Sequence, residues 1–178
     1  NSLYWFELAQ NNRGMSYAYN LLAQFSNDHL DESLKYRKLA LNYGLKSNDV
    51  SHLASIYEGL GFHYYSKKQL DSSIYYHTIA IENRRNIGEI RLLSSSYFNI
   101  ASVYFERGLL TEAKRNLDSL YALPQQGNTE VLYLGHRLNA QVDSSLGDFK
   151  GAHLNLLAAL EHQELYFNDE SKTELLRH

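Results

Sequence analysis

Three things are scarce in this chain of 178 residues: it has no cysteine, a single proline, and a net charge of only −3. The absence of cysteine excludes a disulfide framework, metal sites held by thiolates, and a thiol nucleophile, but it fits reducing and oxidising compartments equally. One proline argues against a turn-rich β fold, and the weak charge provides no field that attracts nucleic acid. No apolar run approaches the roughly 18 residues that a membrane-spanning helix needs. We therefore expect neither a nucleic acid nor a membrane as a partner of this region.

What the sequence does contain is an internal repeat of about 40 residues. Its clearest marker is a small residue that recurs at spacings of 40, 40 and 39 residues, each time three positions after a large apolar residue. The markers are Ser33, Ser73, Ala113 and Ala152. Four markers in register indicate a repeat architecture rather than chance.

Each half of the repeat has the period of an α-helix. Tyr57, Leu60 and Tyr64 fall at i, i+3 and i+7, and a second stripe runs from Leu70 to Ala80. Short breaks separate the two stripes, so each repeat is predicted to be a pair of antiparallel helices joined by a tight turn. Two helices approach closely only where side chains are small. We therefore expect Gly61 to face Ser73, and Ala101 to face Ala113.

The periodicity predicts an all-α chain that forms a single repeat array over residues 1–178. We expect four helix pairs with a partial helix at either end. The pairs are predicted near residues 15–45, 50–87, 89–124 and 129–166, and the partial helices at 2–11 and 169–178. The chain begins with Asn1 rather than methionine, which is typical of a piece of a longer protein.

The marker residues resemble the tetratricopeptide repeat family. Its pattern sets an aromatic residue, Leu-Gly or Leu-Ala, Tyr, a turn glycine, a small residue and Ala in this order. Residues 55–83 follow it, with Lys68 in place of the turn glycine and His77 in place of an aromatic residue. Residues 95–122 follow it with Gly108 in the turn. The resemblance implies a right-handed superhelical α-solenoid of antiparallel helix pairs.

The repeat is longer than the common family period of about 34 residues. This longer form resembles the repeats of bacterial peptide-sensing regulators and of kinesin light chains. It implies a protein- or peptide-binding scaffold, the sensory or regulatory repeat region of a larger bacterial signalling protein. The alternative is a structural self-association array without a peptide ligand, and a homodimer stays open. The bacterial cytoplasm and the periplasm are both compatible with the sequence.

The resemblance also implies where a ligand is expected, because the first helix of each pair lines the concave side of such a solenoid. Aromatic rings there suit the side chains of an extended protein or peptide segment, and amides suit its backbone. The expected groove residues are Tyr19, Asn20, Glu58, Phe62, Tyr65, Phe98, Asn99, Phe105, Arg137 and Gln141. The competing interpretation is that neighbouring repeats or a terminal helix cover these rings.

No motif for catalysis or for a cofactor stands out, so we expect a protein that is not an enzyme and needs no metal. The glycines at 59 and 61 lack the third glycine of a phosphate-binding loop and lie inside a helix stripe. His162 does not belong to a metalloprotease motif. His63 and His77 are expected to form a packed, hydrogen-bonded pair in the core.

Overall fold

The computed structural model describes residues 11–26, 29–124 and 129–175, with side chains up to Leu165. Within these ranges the chain forms eight helices and no strand. The helices are α1 (Asn12–Phe25), α2 (Leu30–Ser47), α3 (Val50–Ser66), α4 (Leu70–Ile87), α5 (Ile90–Glu106), α6 (Leu110–Tyr121), α7 (Thr129–Ser145) and α8 (Phe149–Leu175). The all-α fold class of the solenoid type is confirmed.

The helices pack as consecutive pairs, α1 with α2, α3 with α4, α5 with α6, and α7 with α8. The contacts divide the chain into two compact units with two pairs each, a first unit over Asn1–Glu89 and a second unit over Ile90–His178. Within the first unit α2 contacts α3, and within the second unit α7 contacts both α5 and α6. The first three pairs match the predicted bounds to within three residues, whereas the last pair ends at Leu175 rather than at residue 166. The continuity of one array across residue 89 and the right-handed twist stay predictions.

The turns repeat as regularly as the helices. In the last three pairs three residues separate the two helices, and the middle one has a left-handed backbone. These residues are Lys68 (φ 58°), Gly108 (φ 78°) and Gly147 (φ 81°). Their spacings of 40 and 39 residues are those of the sequence markers. Lys68 therefore occupies the turn position at which the family pattern places glycine, as the sequence predicted.

A close crossing of α3 and α4 lies at Gly61. Ser73 Oγ donates a hydrogen bond to the Gly61 carbonyl oxygen at 2.9 Å, which confirms that these two residues face each other. A Cβ atom on Gly61 would lie 2.7 Å from the His77 ring. In the first pair Ser33 Oγ donates to the Ala23 carbonyl oxygen at 2.8 Å, so Ala23 is the α1 counterpart of Gly61.

Tyrosines pack around the core of the first unit. The fully buried centre is formed by Ala40, Ile56 and Leu60, and half-buried tyrosines from three helices lie against it. Two of these, Tyr64 and Tyr76, stack with their ring centroids 5.2 Å apart. The tyrosine-rich composition therefore has a packing role here.

The C-terminal helix differs from the prediction. A break between residues 166 and 169 was expected, with a new helix at 169–178, but α8 runs without interruption from Phe149 to Leu175. After Gly151 this stretch holds neither glycine nor proline, so nothing in it forces the helix to end. The partial helix predicted at 2–11 falls almost wholly outside the described residues.

Candidate functional site

Tyr19 and Asn20 of the predicted groove belong to the packed part of the first unit. The Tyr19 ring stacks on Tyr36 and Tyr43, with centroid distances of 6.2 and 5.8 Å. Asn20 is only 6% exposed. The Asn20 amide therefore lies in the core rather than on an open surface, and its contact with a ligand stays a prediction.

Glu58 of α3 is engaged within the protein. Its Oε2 atom accepts a hydrogen bond from Arg84 Nη2 at 2.6 Å. The Arg84 side chain is 2% exposed and that of Glu58 15%, so the carboxylate compensates a guanidinium held out of water. Removing one partner of such a buried pair leaves an uncompensated charge, which is strongly destabilising. Glu58 therefore has a structural role that its place in the family pattern did not reveal.

Phe62 and Tyr65 are the parts of the predicted groove that α3 leaves near the surface. Phe62 is 45% exposed and meets the His77 ring edge-on, at a centroid distance of 5.2 Å. The Tyr65 ring is half-buried, and the ammonium group of Lys68 lies 5.2 Å from its centroid. Phe62 is therefore an accessible ring that packs against the buried His77 ring.

In the second unit, α5 carries three predicted groove residues in half-buried positions, Phe98, Asn99 and Phe105. The two phenylalanines are seven residues apart, which places them two turns apart on the same side of the helix. Between them, Ser102 Oγ donates to the Phe98 carbonyl oxygen at 2.9 Å and so satisfies its hydroxyl locally. The side of α5 that bears the rings therefore combines partly accessible aromatic area with satisfied polar groups.

Arg137 and Gln141 lie one turn apart on α7, and both are exposed. Arg137 Nη1 donates to the Tyr133 hydroxyl at 3.1 Å, and its guanidinium carbon lies 5.4 Å from the centroid of the same ring. The guanidinium group is thus held by one neighbour while it remains in contact with solvent. It can still donate hydrogen bonds to a carboxylate or to backbone carbonyl groups.

These residues lie on two helices in direct contact, since α5 packs against α7 within the second unit. We refer to them together as the α5–α7 surface. It comprises Phe98, Asn99, Phe105, Tyr133, Arg137 and Gln141. These residues supply half-buried aromatic rings on one first helix and exposed hydrogen-bonding groups on the next, which are the two kinds of group predicted for a peptide site.

A buried polar cluster in the second unit was not predicted from the sequence. Asp143 is 1% exposed and pairs with the ammonium group of Lys114. Asn155 Nδ2 donates to Asp143 Oδ2 at 2.8 Å, and Asn155 Oδ1 lies 3.0 Å from His136 Nδ1. The sequence feature that indicates this cluster is Asp143, an acidic residue at a position where the tetratricopeptide pattern has tyrosine. The cluster links α6, α7 and α8, so we assign it a role in stability.

His63 and His77 are buried, as expected, but the expected hydrogen bonds are absent. Both ring nitrogens of each residue lack a hydrogen-bond partner within the part of the chain that is described. Burial lowers the pKa of His77 to about 4, and burial lowers that of His63 as well. Both rings therefore act as neutral packing groups at neutral pH.

The described ranges contain neither a metal-binding cluster nor a membrane-spanning helix. No group of three or more histidine, aspartate or glutamate side chains there could hold a metal ion. No helix there is both long enough and apolar enough to cross a membrane.

The fold and these surfaces define an all-α helical-repeat protein. Among solved structures, the chain is similar to BtubC (BKLC) from P. vanneervenii, with a TM-score of 0.81 and 17% sequence identity. The match covers 88% of this chain and 66% of BtubC, so the chain spans just under two thirds of that protein's length. At this identity the likeness shows the fold alone. No family model and no curated protein sequence matches the chain.

Proposed function

We propose that this chain is a protein- or peptide-binding scaffold of the tetratricopeptide type, and that it forms the sensory or regulatory repeat region of a larger bacterial signalling protein. The observation that carries the proposal is the α5–α7 surface. It offers partly accessible phenylalanine rings on α5, and an exposed guanidinium group and an exposed amide on α7. An extended segment needs both kinds of group, one for its side chains and one for its backbone.

The contact of Arg137 with Tyr133 supports the proposal that this chain binds a peptide segment. Its contact with Tyr133 restricts the rotamers of the side chain before a ligand arrives, so less conformational entropy is lost on binding. A carboxylate on the ligand, or two successive backbone carbonyl groups, would complete its hydrogen bonding. The ligand class that fits is therefore an extended segment with an apolar or aromatic side chain near an acceptor group.

The aromatic rings are expected to supply most of the affinity. A few anchor residues dominate binding in most interfaces, and truncating such an anchor costs about 2 kcal/mol or more, which is roughly a thirtyfold loss. Phe105, a half-buried ring in the last turn of α5, is the first to be tested. Exposed polar residues at the rim contribute less, so we expect smaller losses from Gln141→Ala.

The experiment is selection of binders from a random peptide display library against the whole chain, followed by calorimetry with the best peptide. Phe105→Ala and Arg137→Ala should weaken binding by tenfold or more. Two controls lie in the first unit: Tyr75→Ala removes an aromatic ring that is 61% exposed, and Lys35→Ala removes an exposed charge. Both should bind the peptide within twofold of the wild type. Equal losses in the controls, or no enriched peptide at all, would contradict the proposal.

A further inference from the structure

Three histidines of the first unit are buried. His52, His63 and His77 are 5%, 4% and 1% exposed, whereas histidine usually occupies positions of intermediate exposure. Among the described histidines of the second unit none is buried. His52 keeps a hydrogen bond to the backbone of Ser16, but the rings of His63 and His77 make none with the described part of the chain. The latter two are therefore the buried histidines whose role needs an explanation.

The second unit shows that the fold does not need histidine at these two positions. Forty residues after His63 and His77 stand Val103 and Leu117. They are 2% and 0% exposed, so they fill the equivalent buried positions with apolar side chains. A buried imidazole N–H group without a partner costs free energy that an apolar group does not. The first unit therefore keeps two residues that lower its stability, which is typical of positions with a function.

Both histidines lie at contacts of α3, which packs against both α2 and α4. His77 extends from α4 onto Gly61 of α3, where a Cβ atom would lie 2.7 Å from its ring. His63 belongs to α3, and charged groups of α2 lie near it. A positive charge on either ring would therefore be buried at a helix contact, and burial of a charge is strongly unfavourable unless the charge is paired.

The charges around His63 are mostly positive. Arg37 and Lys38 of α2 and Lys67 of α3 lie near its ring, and all three oppose its protonation. The carboxylate that α2 brings near the ring is that of Asp31, and it is already paired with the Lys67 ammonium group at 2.5 Å. A protonated His63 would thus be one more cation in a cationic environment.

His77 has a carboxylate and a cation nearby. The carboxylate of Glu58 on α3 favours a charged ring, and the guanidinium group of Arg84 on α4 disfavours it. Glu58 Oε2 already accepts the hydrogen bond from Arg84 Nη2. A charge on His77 would therefore compete with Arg84 for the same carboxylate, at the contact that holds α3 on α4.

We propose that the first unit is an acid-responsive element, in which protonation of His63 and His77 releases α3 from α2 and α4 while the second unit stays folded. In the released state both rings meet water and take up a proton near pH 6.5. In the packed state both are neutral at this pH, because burial lowers the pKa of His77 to about 4 and burial also lowers that of His63. The released state therefore binds more protons. A falling pH favours it by up to about tenfold per pH unit for each histidine.

The test is amide hydrogen exchange of the whole chain, followed by mass spectrometry at pH 6.5 and pH 5.0 and corrected for the intrinsic exchange rates. Between these values the protection of α3 and α4 in the wild type should fall by about thirtyfold or more, and that of α5, α6 and α7 by less than about threefold. A first unit that keeps its protection at pH 5.0, or a second unit that loses as much as the first, would overturn the proposal. The α5–α7 surface lies in the second unit, so this result does not depend on the proposed ligand site.

Variants taken from the repeat itself identify the histidines that respond. His63→Val and His77→Leu introduce the residues of the equivalent positions in the second unit, and each should reduce the acid-dependent loss of protection about fivefold or more. The double variant should lose protection at least about thirtyfold less than the wild type, and His52 cancels from the comparison because it is present throughout. His29→Gln, a change at an exposed histidine of the first unit, should respond like the wild type. A double variant with the response of the wild type would overturn the proposal. If the variants do not fold at pH 7, the contrast between the two units of the wild type decides it.

Discussion

The crossing at Gly61 allows a stability prediction whose size follows from distances. A methyl group there would lie 2.7, 2.7 and 2.8 Å from three atoms of the His77 ring, whereas ordinary contact begins at 3.4 Å. His77 is 1% exposed, and Phe62 lies against the ring edge-on, so the ring has no open space to enter. Overpacking of this kind costs about 1–3 kcal/mol. The higher helix propensity of alanine relative to glycine stabilises the helix by about 1 kcal/mol.

An overpacking cost near the middle of this range, about 2 kcal/mol, less the propensity gain leaves an expected loss of about 1 kcal/mol in the free energy of unfolding of Gly61→Ala. Urea titration followed by far-ultraviolet circular dichroism should show a lower midpoint at an unchanged slope. The cause can be isolated in a His77→Ala background, because removing the ring removes the collision. In that background Gly61→Ala should be neutral or should stabilise the protein by up to about 1 kcal/mol.

Gly88→Ala is the matched control for this prediction. A side chain at Gly88 would meet nothing within 4 Å, but the backbone has φ +69°. We expect a loss of about 1 kcal/mol from backbone strain alone, and the same loss with or without His77. If Gly61→Ala were as stable as the wild type, or if its cost persisted after removal of the His77 ring, the steric reasoning would be refuted.

Two further predictions concern a turn and a buried ring. Lys68→Gly should raise the free energy of unfolding by about 0.5 kcal/mol, seen as a higher melting temperature, because it replaces a non-glycine residue in a left-handed conformation. Gly108→Ala should lower the free energy of unfolding by about 1 kcal/mol. A loss of stability in both variants would contradict the turn assignment. Acidification should weaken the fold, since His77 binds its proton near pH 6.5 when unfolded but only near pH 4 when folded. Its contribution is complete above pH 6.5 and falls by about 3 kcal/mol as the pH drops to 4, so His77→Phe should flatten the pH dependence of urea midpoints. An unchanged dependence would show that the pKa of His77 is the same in the folded and unfolded states.

The sequence predicted the repeat better than the site, and the reason is physical. The turn at Lys68 and the contact of Ser73 with Gly61 follow from local spacing, which a periodic sequence displays directly. The burial of Asn20 depends on the register of α1 on α2, and that register is altered. The crossing residue of α1 lies ten positions before its serine, whereas in the next pair Gly61 lies twelve positions before Ser73. A shift of two residues turns a helix by about 200°, which moves side chains from one face to another.

The partner of Glu58 could not be predicted for a related reason. Arg84 is 26 positions away, and a basic residue near a helix end usually marks a solvated surface. Only the packing of α3 on α4 shows that this guanidinium group is buried and needs a carboxylate. Side chains that bind a ligand and side chains that bind each other use the same chemistry, so the pattern alone does not separate them.

The evenly spaced left-handed turns also bear on how such a chain changes length. A segment that begins at Lys68 and ends before Gly108 is a 40-residue cassette that enters and leaves in the same backbone conformation. Unequal recombination between two such turns would duplicate or delete a cassette without creating a new local geometry. Inserting one residue between Gly61 and Lys68 would instead rotate the crossing by about 100° and separate Ser73 from its acceptor. Growth by whole cassettes therefore preserves the turn geometry, while growth by single residues inside a pair disrupts the core.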